Sequence, residues 1–204
     1  MDRELRCELV PQEQVYELCW QLAEAVRASG YHAQVVIAIA RGGFVPARYL
    51  CDFLSISAMT SIKVQHYAPG ARKQRRAWVK YPLGGSIEGQ NVLLVDDVND
   101  TGDTLEAALD HLQGFGPGDL RTAVLHEKHT TRFGADYRVR EVRDWHWIVY
   151  PWAVFEDLLA FLREMQPAPA SAEQAAQRLR EDYGIEIPAQ QVQRIFGLLA
   201  KPEA

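Results

Sequence analysis

Residues 92–105 read VLLVDDVNDTGDTL, and this run decides how the rest of the chain is organised. The apolar stretch NVLLV at 91–95 reads as a short strand buried on both faces. Two carboxylates, Asp96 and Asp97, follow at once. Next come a turn rich in Asn, Asp, Thr and Gly and a helical pattern through TLEAALDHLQGF at 104–115. Backbone amides of such a turn, set at a helix N-terminus, make a cradle for a phosphate group. Gly102 lets the backbone approach a ligand closely, and Thr101 and Thr104 add hydroxyl donors. Adjacent carboxylates do not bind phosphate, so Asp96 and Asp97 suit hydroxyls such as a ribose diol, or a hard cation held through oxygen. A plain capped turn, with Asp103 as N-cap and Glu106 as the returning acid, explains neither the acidic pair nor Asp100.

Working outward, VVIAIA at 35–40 is a second doubly buried strand, and VPARYLCDFL at 45–54 reads as a helix with Pro46 near its first turn. Upstream, residues 12–29 set Val15, Leu18, Cys19, Leu22 and Val26 on one helical face, and Gly30 stops that helix. SIKVQHY at 61–67 alternates as a strand, and RTAVLH (121–126) and WHWIVY (145–150) are further strand candidates. Residues 68–86, with Pro69, Gly70, Pro82, Gly84 and Gly85, read as a long excursion. Strands alternating with helices imply an α/β fold, a doubly wound and mainly parallel sheet covered on both faces. Ligands in such folds sit beyond the carboxyl ends of the strands, which singles out the loops at 40–44 and 96–103. After Met165 the composition changes: PAPAS at 167–171 is a linker, and two short helices follow, with Val192, Ile195, Phe196 and Leu199 on one face. Residues 1–165 are therefore expected to form the main domain, and 166–204 a linker with a small helical extension.

Composition limits the partners. The chain has 204 residues, 48% of them apolar and 24% charged, enough for one sizeable domain and a small appendage. Its net charge of −5 disfavours wholesale binding of nucleic acid or of an anionic membrane. The longest apolar run, Val35 to Ala40, falls far short of the ~20 residues of a membrane span. Residues 1–10, MDRELRCELV, lack the apolar core of a signal peptide, and Cys7, Cys19 and Cys51 form no CxxC. A cytoplasmic protein in a reducing compartment is the expectation.

The run DDVNDTGDT at 96–104 resembles the phosphoribosyl pyrophosphate motif of the type I phosphoribosyltransferases. The resemblance implies that Asp96 and Asp97 bind the ribose hydroxyls. It also implies that Asp100, Thr101, Gly102, Asp103 and Thr104 hold the 5′-phosphate. Asp103 stands where many members have Gly or Lys. ARGGFVPAR at 40–48 resembles the family's pyrophosphate loop, which assigns Arg41, Gly42 and Gly43 to the leaving group; members often carry a non-proline cis peptide there. The six basic residues from Lys63 to Ser86, with no acid among them, fall where the family has a hood that closes over pyrophosphate. Mg2+ is implied as the cofactor, held weakly by Asp97 and mainly through substrate and water.

The acceptor is suggested by VLHEKHT (124–130) and WHWIVYPW (145–152), which together resemble the purine sites of the 6-oxopurine branch. There Lys128 would donate to the 6-oxo group, Trp147 would stack on the purine and the backbone of Ile148 would read its exocyclic edge. Taken alone, Lys128 reads as a surface lysine just past a strand and Trp147 as core. Branch members often place an acid directly after the final Trp; here Ala153 stands there, with Glu156 and Asp157 downstream. The resemblance implies transfer of a phosphoribosyl group to N9 of hypoxanthine, guanine or xanthine, Asp100 as general base, and a homodimer or homotetramer. The alternatives are a regulator that senses phosphoribosyl pyrophosphate and binds RNA, and a transferase for orotate or another pyrimidine.

Overall fold

The computed structural model describes residues 5–66 and 77–199. In chain order the elements are β1 (Cys7–Leu9), α1 (Gln12–Ala28), β2 (Val35–Ala40), α2 (Phe44–Phe53), β3 (Met59–His66), β4 (Ala77–Tyr81), β5 (Asn91–Asn99), α3 (Asp103–Gln113), β6 (Asp119–Lys128), β7 (Tyr137–Val142), β8 (Trp147–Val149), α4 (Val154–Glu164), α5 (Ala172–Tyr183) and α6 (Ala189–Phe196). They fall into two compact units, Glu13–Trp145, and Met1–Gln12 together with His146–Ala204. This division places β1, β8 and α4 with the C-terminal helices, whereas the sequence suggested a break at 165/166.

In the larger unit six strands form one sheet in the order β4-β3-β2-β5-β6-β7. All neighbours are parallel except β3 and β4, the mainly parallel arrangement expected. Period-two alternation distributes the apolar residues to both faces. Val35, Ile37 and Ile39 of β2 join Val92 and Leu94 of β5 in a core with Leu105, Ala108 and Leu112 of α3. The intervening Val36, Ala38, Leu93 and Val95 are also fully buried, on the opposite face, where α2 packs on β2 and β5. Continuous apolar runs in β2 and β5 are the consequence of helices on both sides.

Several strands differ from their expected extent. Strand β5 runs on through the acidic pair to Asn99, because β6 keeps pairing with it as far as Asn99↔Glu127. Strand β6 likewise extends to Lys128, which makes that lysine the last residue of a strand rather than one just past it. The 68–86 excursion contains β4; AWVKY alternates, but the flanking Pro and Gly residues hid the pattern. The rest of the expected hood, residues 68–76, lies outside the described residues. Strand β7, YRVREV, was not anticipated, since this edge strand carries two arginines and a glutamate and lacks the unbroken apolar run of β2 and β5.

In the smaller unit β1 and β8 form a separate parallel pair, Cys7↔Trp147 to Leu9↔Val149. Helices α4, α5 and α6 pack around Val149, Leu158, Leu162, Leu179, Val192 and Ile195. Helix α5 starts at Ser171, whose side chain accepts from the Gln174 amide at 3.2 Å, and ends at Gly184 in the left-handed conformation. The two short helices expected of the tail are thus present, with Val192 and Ile195 fully buried. All three cysteines are free, and burial pushes the Cys7 thiol to about 11 and that of Cys19 to about 12. Among the described residues no helix is long and apolar enough to cross a membrane.

Candidate active site

The parallel strands β3, β2, β5 and β6 end at His66, Ala40, Asn99 and Lys128, all at the carboxyl edge of the sheet. Each of the larger unit's motifs begins at one of these ends, where the topology of an α/β sheet opens a crevice.

At the end of β2 the peptide between Ala40 and Arg41 is cis, and Arg41 is exposed. A Cβ on Gly42 would meet the Asp97 carboxylate at 2.3–2.5 Å, and one on Gly43 would meet the Val95 carbonyl oxygen at 2.3 Å. Neither position has room for a side chain, so the pyrophosphate-type loop lies directly against the end of β5. The structure thereby brings Gly42 against the Asp97 carboxylate and Gly43 against the backbone of Val95 and Ile39. Asp96 is buried; burial, followed by the charge of Asp97, pushes its carboxyl well above the ordinary range. Asp96 Oδ1 accepts the Asp97 amide at 3.0 Å, and the half-buried Asp97 carboxylate accepts the Val98 amide on its Oδ1 at 2.9 Å.

The turn at 100–104 differs from the capped turn considered above. Gly102, not Asp103, is the N-cap of α3, with φ at 92° and no side-chain cap. Asp103 is the first helical residue, and its amide lies 3.4 Å from Thr101 Oγ1. A helix start left without a side-chain cap directs its amides and the positive end of its dipole toward an incoming anion. Thr104 Oγ1 lies 3.1 Å from His66 Nε2 at the end of β3. Gly102 is required for a further reason: a Cβ there would meet the Cβ and amide nitrogen of Phe133 at 2.8 Å. The same turn is tied down by the Arg132 amide, which donates to the Thr101 carbonyl at 3.0 Å.

Lys128 is only 4% exposed, contrary to the surface position its sequence context suggested. Its ammonium donates to Asp100 Oδ2 at 2.9 Å and lies 4.4 Å from the centre of the Trp145 ring. Thr130 Oγ1 donates to Asp100 Oδ1 at 2.7 Å, and Trp145 Nε1 reaches both carboxylate oxygens at 3.2 Å. Burial acts to raise the Asp100 carboxyl, but the Thr130 and Lys128 hydrogen bonds, the Lys128 charge and the Trp145 donor outweigh it and hold the group below the ordinary range. Sequence reasoning found Asp100 and Lys128 but missed Thr130 and Trp145. The signal for Trp145 was its place two residues before the singled-out Trp147.

Glu127 was also missed, because a glutamate between His126 and Lys128 in a strand gives no sign of burial. Its Oε2 accepts the Asn99 side-chain amide at 3.0 Å and the Ala135 amide at 2.6 Å, while Oε1 lies 3.2 Å from Arg138 Nε. Asn99 also donates to the Phe133 carbonyl at 2.7 Å, so this buried cluster seats the 129–135 loop against the turn at Gly102.

Trp147 and Ile148 belong to the smaller unit. Trp147 is 38% exposed, not core; its indole N–H donates to Asp157 Oδ2 at 3.1 Å and its ring meets Phe161 edge-on. Burial raises the Asp157 carboxyl. Ile148 is buried within the β1–β8 pair. Among the described residues no group of three or more His, Cys, Asp or Glu side chains is arranged to hold a metal ion.

A non-glycine residue at positive φ costs about 1–2 kcal/mol, and overpacking adds ~1–3 kcal/mol. Gly102→Ala is therefore expected to lower the unfolding free energy by about 2–5 kcal/mol. Urea denaturation measures this, and an unchanged midpoint would show that the Phe133 backbone yields without cost.

With this geometry in view, comparison with known proteins is informative. The phosphoribosyl transferase domain family matches residues 8–156. The hypoxanthine-guanine phosphoribosyltransferase of Schizosaccharomyces pombe is 33% identical over 116 residues, 48% of this chain and 56% of that one. This chain thus spans about half the length of the first curated relatives it matches. The xanthine-guanine phosphoribosyltransferase of Desulfotalea psychrophila is 30% identical over 135 residues, 66% of this chain and 76% of that one. The crystal structure of a purine phosphoribosyltransferase from Pyrococcus horikoshii aligns at 32% identity and a TM-score of 0.64, over 72% of this chain and 94% of that one. The matched span takes in the acidic strand end, the glycine loop, Lys128 and Trp147, and the chain belongs to the phosphoribosyl transferase domain family.

Proposed function

We propose that the protein transfers the 5-phosphoribosyl group of phosphoribosyl pyrophosphate to N9 of a 6-oxopurine, releasing the nucleoside 5′-monophosphate and pyrophosphate, as in purine salvage. The observation that carries this reading is the pairing of two features at adjacent strand ends. One is an uncapped helix start behind an acidic pair; the other is a buried lysine beside Asp100. The first suits a phosphorylated ribose, and the second suits a base with a carbonyl to receive the ammonium. A lysine donor favours a carbonyl over an exocyclic amine, which selects against adenine.

In the reaction N9 forms a bond to C1 of the ribose as the C1–O bond to pyrophosphate breaks. The proton on N7 passes to Asp100, and the electron pair of the broken bond leaves with pyrophosphate. Arg41 and the amides of the 40–43 loop stabilise the leaving group, each well-placed donor contributing ~3 kcal/mol. Asp97 is an oxygen ligand of the type Mg2+ prefers, and with no cluster of further ligands among the described residues the ion would be held chiefly by pyrophosphate and water. When bound, Mg2+ would neutralise charge on the pyrophosphate. Asp100 is ionised at neutral pH, the state a base requires, and withdrawal of Lys128 toward the purine would remove two of the influences that depress its basicity. Trp147 keeps the role the resemblance implies, an aromatic face for the purine. Exposed Tyr16, Trp20 and Phe44 on α1 and α2 support assembly into a homodimer or homotetramer, and three free thiols, those of Cys19 and Cys51 buried, support a cytoplasmic setting.

Incubation with phosphoribosyl pyrophosphate, Mg2+ and each purine in turn tests the reading; formation of a nucleotide from hypoxanthine, guanine or xanthine supports it, and formation from none of them refutes it. Asp100→Ala is expected to lower turnover by about 10²–10⁴-fold with near-normal binding of phosphoribosyl pyrophosphate. Unchanged turnover would remove Asp100 from the chemistry. Trp147→Ala should weaken purine binding by ~1–3 kcal/mol, measured calorimetrically, and a neutral result in a folded variant would reject the stack. Sedimentation equilibrium should give a mass of two or four chains; a monomer at assay concentration would overturn the assembly.

A further inference from the structure

The Trp145 side chain touches both members of the Lys128–Asp100 pair. It is 40% exposed, yet its indole N–H is shared between both oxygens of Asp100 at 3.2 Å, and its ring face lies 4.4 Å from the Lys128 ammonium. Lys128 and Asp100 are themselves paired at 2.9 Å. If Lys128 donates to a purine carbonyl, that pair must open, and Asp100 then loses its only charged partner among the groups described around it. Thr130 remains on Oδ1 at 2.7 Å, which fixes one oxygen but leaves the carboxylate free to swing about it. Trp145 supplies what is missing: a donor directed between the two oxygens, and a π-face that receives a cation leaving either one.

The geometry points to Trp145 as a positioning residue for the transfer, holding the Asp100 carboxylate through its indole N–H and the Lys128 ammonium through its ring while Lys128 exchanges Asp100 for the purine carbonyl. This inference rests on the roles proposed above for Asp100 and Lys128. It assigns Trp145 no contact with substrate. The side chain acts through its two neighbours, by orienting a base whose misplacement is costly even when its protonation state is right. The ring face also keeps its contact with the Lys128 ammonium while that group shifts from Asp100, since a cation over an aromatic face retains part of its stabilisation.

Two variants separate the two contacts. Trp145→Phe keeps a ring under Lys128 and removes the donor to Asp100; Trp145→Leu removes both. Among the described residues Lys128 is the charged group that acts on Asp100, with Thr130 and Trp145 as neutral donors. In Trp145→Phe the Asp100 carboxyl, followed by carbon-13 NMR, should therefore titrate at higher pH than in the wild type. Its kcat should fall about tenfold, the worth of one hydrogen bond to a charged group. The KM for the purine should hardly change, because the more basic carboxylate is no longer aimed while Lys128 is still held. In Trp145→Leu the purine KM should rise as well. Should Trp145→Leu not fold, Trp145→Phe alone decides. A wild-type Asp100 titration in Trp145→Phe would overturn the inference, as would wild-type kcat and KM in both variants. The two levels fail separately. Full turnover in Asp100→Asn would defeat the proposed base chemistry while leaving the NMR comparison intact, whereas an unmoved titration would defeat only the role of Trp145.

Discussion

The whole site depends on one buried carboxylate. Glu127 sits near the end of β6 and is 8% exposed, a position where an unpaired charge would cost several kcal/mol. It is tolerated because Asn99, the Ala135 amide and Arg138 satisfy it. These contacts bind the last residue of β5 to the loop that follows β6. Phe133, held by Asn99 in the same cluster, then lies against Gly102 and sets the turn at the start of α3. The turn at Gly102 and the loop carrying Thr130 are therefore joined through one set of contacts. Loss of one partner would leave the others buried and unsatisfied, which is why such clusters specify a single geometry.

What the sequence made legible, and what it did not, follows from the range of the interactions involved. Strands β2 and β5 were readable because burial on both faces leaves an unbroken apolar run. Helices α1 and α6 were readable from their spacing, and α1 from its glycine stop as well. The acidic pair and the glycine loop were readable because close backbone approach restricts the residue types allowed; Gly42 and Gly43 show this directly, with no space for a Cβ. Non-local pairing was hidden. Strand β5 continues through Asp96 and Asp97 only because β6 lies beside it, and nothing in DDVN announces a strand. Strand β1 has three residues and exists through its pairing with β8. Burial of Lys128 and Glu127 was equally invisible, since it depends on loops distant in sequence. Gly102 was singled out for approach to a ligand, whereas the structure adds a packing demand from Phe133.

The Lys128–Asp100 pair explains why these two residues belong together. A lysine at 4% exposure must have a counter-charge within reach, and a carboxylate intended as a base must be kept ionised before its substrate arrives. Each answers the other's requirement in the resting protein. The same contact depresses the basicity of Asp100, so under the proposed function the carboxylate would become more basic when the lysine is drawn toward a purine. On that reading, competition for the lysine would adjust a carboxylate that Thr130 and Trp145 also help to keep ionised.

The parallel pairing of β1 with β8 carries a consequence for biosynthesis. Cys7–Leu9 is translated long before Trp147–Val149 leaves the ribosome, yet each is the other's sole strand neighbour in its sheet. At roughly 5–20 residues per second, the nascent segment waits on the order of ten seconds for its mate, whereas isolated strand pairing takes microseconds. Cys7–Leu9 is accordingly made well before the segment that locks it, and gains its strand pairing only once Trp147–Val149 has emerged.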